Sequence, residues 1–253
     1  MPDAIQPAIP AATLVIFHDR AGAAPELLMV ERNKAMAFAA GALVFPGGRV
    51  DPGDYALADT LGGERDDTAA RIAAIRETIE EAGLPIGLDP APTPPQLDEL
   101  RAALHAGAPF GEALAATGAR LDLGALVPFA RWLPRHAHMR IFDTRFYLAR
   151  LPADAPPATV DRTENVRLLW ATAAQVLADA DAGRATIIFP TRRNLERLAL
   201  FDGFEAAAAQ ARAIPVRTIT PFTQDRDGAP HLCISDDLGY PVTSQPMGEA
   251  MRG

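Results

Sequence analysis

The chain has 253 residues, of which 49% are hydrophobic and 22% are charged. This composition is typical of one globular unit with enough apolar chain for a full core. The net charge of −8 and the isoelectric point near 5.1 disfavour a broad surface for nucleic acid or anionic membrane, since both partners require a basic field. The single cysteine, Cys233, excludes an internal disulfide framework and a metal cluster built from cysteines.

The first residues show no secretory signal. Residues 1–17 contain an acidic side chain and several prolines but no basic region ahead of the apolar run. No apolar run approaches the roughly 20 residues that a membrane-spanning helix needs. We therefore expect a cytoplasmic protein that acts on a small molecule, with neither nucleic acid nor membrane as a partner. The sequence leaves a homodimer open.

Two β-prone runs open the chain. Residues 11–18 and 26–31 are apolar, and the polar and glycine residues between them are typical of a turn, so we predict a hairpin. A third strand is expected in residues 41–48, where it runs into a Pro-Gly-Gly turn that ends with Gly47 and Gly48. Glycine lets the backbone approach a bound group closely, although most such turns have no ligand.

An acidic helix follows in residues 71–84. Its apolar residues recur at helical spacing on one face, while Glu77, Glu80 and Glu81 share another. Like charges at these spacings destabilise a helix by about 0.2–0.5 kcal/mol per pair, so a divalent cation with oxygen ligands is a candidate partner. Arg76 lies one residue before the first glutamate and four before the second, where it can orient both carboxylates. A solvated acidic face is the alternative.

Residues 76–84 resemble the second half of the Nudix box, REUxEExGU, in which U is an aliphatic or similar residue. Every fixed position matches, with Thr78 at a U position. The full pattern begins with a glycine, five residues, a glutamate and seven residues before the arginine. Counting from Gly48 puts Asp54 at the glutamate position and leaves 21 residues before Arg76, which implies a 14-residue insertion.

A second register restores the normal spacing without an insertion. It starts at Gly62, puts Thr68 at the acidic position and separates the Pro-Gly-Gly segment from the box, so we prefer the insertion. An interrupted box after GxxxFPGG is similar to the coenzyme A diphosphatase-like branch of the Nudix hydrolases. The upstream LLxxR pattern of that branch matches approximately, with Arg32 one place late and Ala37 where a second arginine would fall.

The resemblance implies a fold, a metal and a set of roles. The fold would be a single α/β domain over residues 1–253, a Nudix α/β/α sandwich with a mixed sheet, whereas periodicity alone supports only a mixed-sheet α/β or α+β protein. Glu77, Glu80 and Glu81 would bind Mg²⁺ or Mn²⁺, Arg76 would position them, and Glu81 or Glu164 would serve as the catalytic base.

The implied substrate is a small nucleotide in which a nucleoside diphosphate is linked to another moiety. Coenzyme A or acyl-coenzyme A follows from the branch. ADP-ribose, NADH and dinucleotide polyphosphates are alternatives, as is a non-catalytic domain that binds a nucleotide and regulates. The predicted substrate contacts are Gly47, Gly48, Arg32 and Arg145.

Later segments alternate between helices and strands. A helical insertion is expected at about residues 90–124, and it either caps the substrate site or is a structural addition. A strand in residues 140–148 places Asp143 and Arg145 on one face, where they could reach a phosphate or form an edge ion pair. Helices and a terminal hairpin are expected in residues 172–240. The HxH pair His136 and His138 fits exposed turn residues better than metal ligands.

Overall fold

The computed structural model describes residues 7–33, 39–134, 140–161, 165–226 and 228–250. Groups of strands and groups of helices follow one another along the chain. They are β1 (Ile9–Arg20), β2 (Ala23–Arg32), β3 (Leu43–Val44), β4 (Gly47–Arg49), α1 (Pro52–Leu61), α2 (Arg65–Ala82), β5 (Leu88–Asp89), α3 (Pro94–His105), α4 (Phe110–Ala115), β6 (Arg120–Leu121), β7 (Val127–Trp132), β8 (Phe142–Arg150), β9 (Asn165–Thr172), α5 (Ala173–Asp181), α6 (Phe189–Leu198), α7 (Phe204–Ala213), β10 (Thr218–Ile219), β11 (Phe222–Arg226), β12 (Ala229–Cys233), β13 (Ser244–Pro246) and α8 (Met247–Ala250).

A mixed sheet runs through the middle of the fold. Its strand order is β10-β7-β8-β1-β2-β3, with β4 also paired to β1 and β9 also paired to β2. Strands β1 and β2 form the predicted antiparallel hairpin, in which Phe17 lies opposite Leu27. Strand β1 pairs in parallel with β8 on its other edge, so the sheet combines both strand directions.

Helices cover both faces of this sheet. Leu14 and Ile16 of β1 face the core formed with α1, α2, α3 and α4, while Val15 and Phe17 face α5, α6 and α7. Each of these four side chains is fully buried, which stabilises the fold by about 1.5–3 kcal/mol per side chain. The predicted α/β/α sandwich with a mixed sheet is confirmed. Among the described residues, no helix combines the length and the apolar character that crossing a membrane requires.

Helix α2 is longer than the periodic stretch in the sequence. It begins at Arg65, where the Glu64 carboxylate accepts hydrogen bonds from the backbone N–H groups of the first turn. Its apolar face, which includes Ile72, Ile75 and Ile79, is fully buried against the sheet. Gly83 ends the helix with a left-handed φ of 65°, and its N–H donates to Ile79 O. The glycine of the motif in residues 76–84 therefore ends the helix that carries the glutamates.

The structure corrects the sequence interpretation at one segment and adds detail in the C-terminal region. The Pro-Gly-Gly segment forms the start of β4 instead of a turn, because Gly47 and Gly48 pair with Thr13 and Ala12 of β1. The terminal hairpin expected within residues 172–240 is formed by β11 and β12, while β10 just before it joins β7 of the large sheet. Helix α7 lies within the region in which helices are expected, and its alanine-rich sequence has high helix propensity.

Candidate active site

Arg76 is the centre of the site, with its guanidinium almost fully enclosed. Nε and Nη2 donate to the two carboxylate oxygens of Asp54 at 3.1 and 2.9 Å, and Nη2 also donates to Arg49 O. Nη1 donates to Glu77 Oε1 at 2.9 Å and to Glu80 Oε1 at 3.0 Å. Burial alone would lower the Arg76 pKa, but the Asp54 hydrogen bonds and the charges of Glu77 and Glu80 raise it. The guanidinium therefore stays charged.

Asp54 resolves the choice between the two sequence registers. Its carboxylate is 1% exposed, and the first turn of α1 brings this shorter acid within reach of Arg76. The same carboxylate accepts the backbone N–H of Asp51, which caps α1. The rejected register would put Thr68 at the acidic position. The Thr68 hydroxyl donates a hydrogen bond to Gly62 O and makes none with Arg76. The residues after Asp54 continue α1, and Asp54 in the first turn of that helix holds Arg76.

Glu81 is held from two sides. Gly47 N donates to its Oε2 at 2.9 Å, and Asn165 Nδ2 donates to its Oε1 at 2.8 Å. Burial raises the pKa of Glu81 to about 7, against the opposing effect of these two hydrogen bonds and of the nearby Arg32 charge. A carboxyl group with a pKa near neutrality suits a general base.

Glu77 lies against the backbone of β4. A Cβ built at Gly48 would overlap the Glu77 carboxylate, so any larger residue there would displace this carboxylate. Burial raises the pKa of Glu77 to about 8, and the charges of Glu81 and Glu80 add to that effect while Arg76 opposes it. Gly47 and Gly48 thus contact the helix glutamates, and their predicted contact with a substrate stays a prediction.

The carboxylate oxygens of Glu77, Glu80 and Glu81 at this end of α2 are the type of ligand that a hard divalent cation prefers. Arg76 occupies one oxygen of Glu77 and one of Glu80, and nothing in the described part of the chain donates a hydrogen bond to the other oxygen of either. A cation would relieve the burial penalty that raises the pKa of Glu77. Across the described residues, no group of three or more histidine, cysteine or acidic side chains is already arranged around one point. The three-glutamate ligand set therefore stays a prediction.

Of the remaining predicted site residues, Arg32 lies near Glu81. Arg32 ends β2 close enough for its charge to lower the Glu81 pKa. Glu164, His136 and His138 lie outside the described residues.

Arg145 is not brought to the glutamates. Its Nη1 pairs with Asp67 Oδ1 at 3.3 Å, in the first turn of α2. Asp67 is thirteen residues before Glu80, which corresponds to about 20 Å along the helix. On the same strand, Asp143 forms the ion pair that was the alternative interpretation, with Arg131 of β7 at 2.6 Å. The predicted substrate contact of Arg145 stays a prediction.

Asn165 is the contact that the sequence did not reveal. It is 1% exposed, and its Oδ1 accepts no hydrogen bond from the described residues although its Nδ2 holds Glu81. Its one signal in the sequence is its place beside Glu164, a candidate for the catalytic base. An asparagine in a strand has no pattern of its own, because its partner lies 84 residues away in sequence.

Known proteins share this fold and sequence pattern. A crystal structure of a Nudix hydrolase from Alicyclobacillus acidocaldarius is 30% identical, with a TM-score of 0.70 over 81% of this chain and 97% of that one. An acyl-coenzyme A diphosphatase from Gallus gallus is 28% identical over 88% of this chain and 75% of its own length. Nudix hydrolase 7 from Caenorhabditis elegans is also 28% identical, over 68% of this chain and 55% of its own length. No protein-family model matches the chain.

The chain belongs to the Nudix hydrolase superfamily. It is a Nudix pyrophosphohydrolase that acts on a small molecule containing a nucleoside diphosphate. Enzymes of this superfamily generally need a divalent metal ion, which agrees with the oxygen donors at the end of α2.

Proposed function

We propose that the protein hydrolyses the diphosphate bond of coenzyme A or of an acyl-coenzyme A. The products would be adenosine 3′,5′-bisphosphate and phosphopantetheine or its acylated form. The observation that carries this proposal is the similarity to the acyl-coenzyme A diphosphatase from Gallus gallus over 88% of the chain. The interrupted box adds support, because Asp54, which precedes the insertion, binds Arg76 and so fits the register that requires the interruption.

Glu77, Glu80 and Glu81 would hold Mg²⁺ or Mn²⁺, which when bound neutralises charge on the diphosphate and lowers the pKa of the attacking water. Arg76 fixes one oxygen of Glu77 and one of Glu80, so the second oxygen of each points away from the guanidinium. Phosphoryl transfer depends mainly on alignment and charge stabilisation, and this arrangement supplies both.

Glu81 is our candidate for the group that takes the proton from the attacking water. Gly47 N and Asn165 Nδ2 fix its two oxygens, and its raised pKa of about 7 lets it accept a proton near neutral pH. Glu164 is the alternative base, since it precedes Asn165 in the chain. Arg32, whose charge reaches Glu81, is the candidate partner for the diphosphate.

The test is hydrolysis of a substrate panel with Mg²⁺ or Mn²⁺. The panel contains coenzyme A, acetyl-coenzyme A, ADP-ribose, NADH and diadenosine polyphosphates. Wild type is compared with Glu80→Gln, and Glu99→Gln on the exposed face of α3 is the matched control. We expect selective hydrolysis of the coenzyme A compounds, a loss of about 100-fold or more in Glu80→Gln, and no change in the control.

Three outcomes would change the assignment. Preferential hydrolysis of ADP-ribose, NADH or a dinucleotide would keep the pyrophosphohydrolase and reject the coenzyme A substrate. Nucleotide binding without turnover of any compound would favour a regulatory domain. Equal activity in wild type and Glu80→Gln would reject the assignment of that glutamate as a metal ligand.

A further inference from the structure

The C-terminal end of α2 is held by a side chain from α3. Arg101 Nε donates to Glu80 O at 2.9 Å, and Thr159 N donates to Ala82 O at 2.9 Å. Both acceptors are among the last four carbonyl groups of the helix, which have no partner inside an α-helix. The guanidinium also lies at the negative end of the helix dipole. The end of the helix that presents the glutamates is therefore capped from outside.

The same guanidinium holds a second segment. Arg101 Nη1 donates to Thr159 Oγ1 at 2.6 Å, and Nη2 donates to Thr159 O at 2.7 Å. A Cβ built at Gly83 would lie 3.0 Å from Thr159 Oγ1 and 3.1 Å from Arg101 Nη1. The glycine of the Nudix box is thus required twice, for its left-handed conformation and for the close packing of this contact.

That second segment leads to Glu81. Asp161, two residues after Thr159, accepts a hydrogen bond from Asn165 N at 3.3 Å. Asn165 Nδ2 in turn donates to Glu81 Oε1 at 2.8 Å. One path of contacts therefore connects Arg101 with Glu81 through Thr159, Asp161 and Asn165. The guanidinium also holds the end of α2 directly, so Arg101 of α3 contacts both the helix that carries Glu81 and the path that leads to Asn165.

We propose that Arg101 is a positioning residue for the pyrophosphohydrolase, acting on Glu81 through the contacts of Thr159, Asp161 and Asn165 and through the end of α2. It needs no contact with the substrate. This inference rests on the enzymatic activity and gives α3 a role in catalysis besides packing. The guanidinium makes these three bonds from three different nitrogen atoms in a fixed planar arrangement. The single nitrogen of a lysine cannot reproduce this arrangement.

The test combines kinetics with hydrogen exchange of the metal-free protein. The variants are Arg101→Ala, Arg101→Lys and Thr159→Val, and the control is Arg120→Ala, an exposed arginine in the chain that follows α4. We expect Arg101→Ala to lower kcat by about 10- to 100-fold while KM changes by less than about twofold. The Thr159 amide should exchange about tenfold faster, because its bond to Ala82 O loses its support.

The conservative variant and a double-mutant cycle separate positioning from general stability. Arg101→Lys keeps the charge but not the fork, so it should restore only part of kcat. Adding Arg101→Ala to Asn165→Ala should cost much less than it does in wild type, because both act on Glu81 along one path. Thr159→Val should reproduce the kinetic effect in part, even if Arg101→Ala does not fold.

The proposal is wrong if Arg101→Ala and Thr159→Val retain wild-type kcat, or if the effects of Arg101→Ala and Asn165→Ala are fully additive. Unchanged exchange of the Thr159 amide in Arg101→Ala would also overturn it. If the wild type hydrolyses none of the panel, the proposed function fails by itself, while the exchange experiment still decides whether Arg101 fixes this segment.

Discussion

Replacing Asp54 by alanine should destabilise the protein more than any exposed substitution on the same helix. The change removes both hydrogen bonds to the Arg76 guanidinium and the bond that caps α1 at Asp51. Removing one partner of a buried ion pair costs about 3–5 kcal/mol, since it leaves a charge buried without compensation. Arg76 keeps Glu77 and Glu80, so we expect the lower end of that range.

The assay is urea denaturation in EDTA, which separates fold stability from metal binding. The matched control is Asp59→Ala, which removes an ion pair with Arg65 on the exposed side of α1 and should change the midpoint little. Asp54→Asn keeps the shape of the side chain and removes its charge, so it should cost about 1.5–3 kcal/mol.

A result in which Asp54→Ala and Asp59→Ala have the same midpoint would refute the argument, because it would mean that the buried bonds to Arg76 contribute nothing. Asp54→Ala should also lower kcat, since Arg76 would no longer be held in place to orient Glu77 and Glu80. Retention of full kcat in a correctly folded variant would contradict the positioning role of this acid.

Three further predictions follow from the site. Folding raises the pKa of Glu77 from 4.5 to about 8. The stability that its protonated form contributes is therefore fully present below pH 4.5 and is lost as the pH rises towards 8. The melting temperature in EDTA should fall over this range, and Mg²⁺ should reduce the fall. A melting temperature independent of pH would contradict this. Gly48→Ala should lower the free energy of unfolding by about 1–3 kcal/mol and remove most of the activity. Gly53→Ala, whose Cβ meets open space, should leave stability and activity nearly unchanged. Equal effects of the two variants would reject the steric argument. Asn165→Asp should lower kcat/KM more than Asn165→Ala, because it places a second carboxylate against Glu81; the reverse order in steady-state kinetics would exclude this contact.

Much of the fold could be predicted because its signals are local. The hairpin of β1 and β2 follows from two apolar runs on either side of a short turn, and α2 follows from residues at helical spacing that end at Gly83. The motif in residues 76–84 lies on one helix, so its glutamates share a surface whatever the rest of the chain does. The family assignment needed no more than this.

Positions that depend on pairing between distant segments could not be predicted in the same way. The sequence placed Arg145 among the substrate contacts, but the register of β8 against β1 and α2 sets it beside Asp67. It also treated Gly47 and Gly48 as a turn, while pairing with β1 makes them part of β4. Strand register is decided by the whole sheet, and a segment of three or four residues does not encode it.

The sequence by itself determined the class of enzyme and the helix that carries its glutamates, since both depend on residues within about two helical turns of each other. Only the tertiary structure decided how that helix is supported. Asp54 meets Arg76 across 22 residues, Arg101 meets Thr159 across 58, and Asn165 meets Glu81 across 84. Such contacts arise from the packing of α1, α3 and β9 around α2, and no local pattern specifies them, because each partner satisfies a charge or a carbonyl group that the folded chain alone brings within reach.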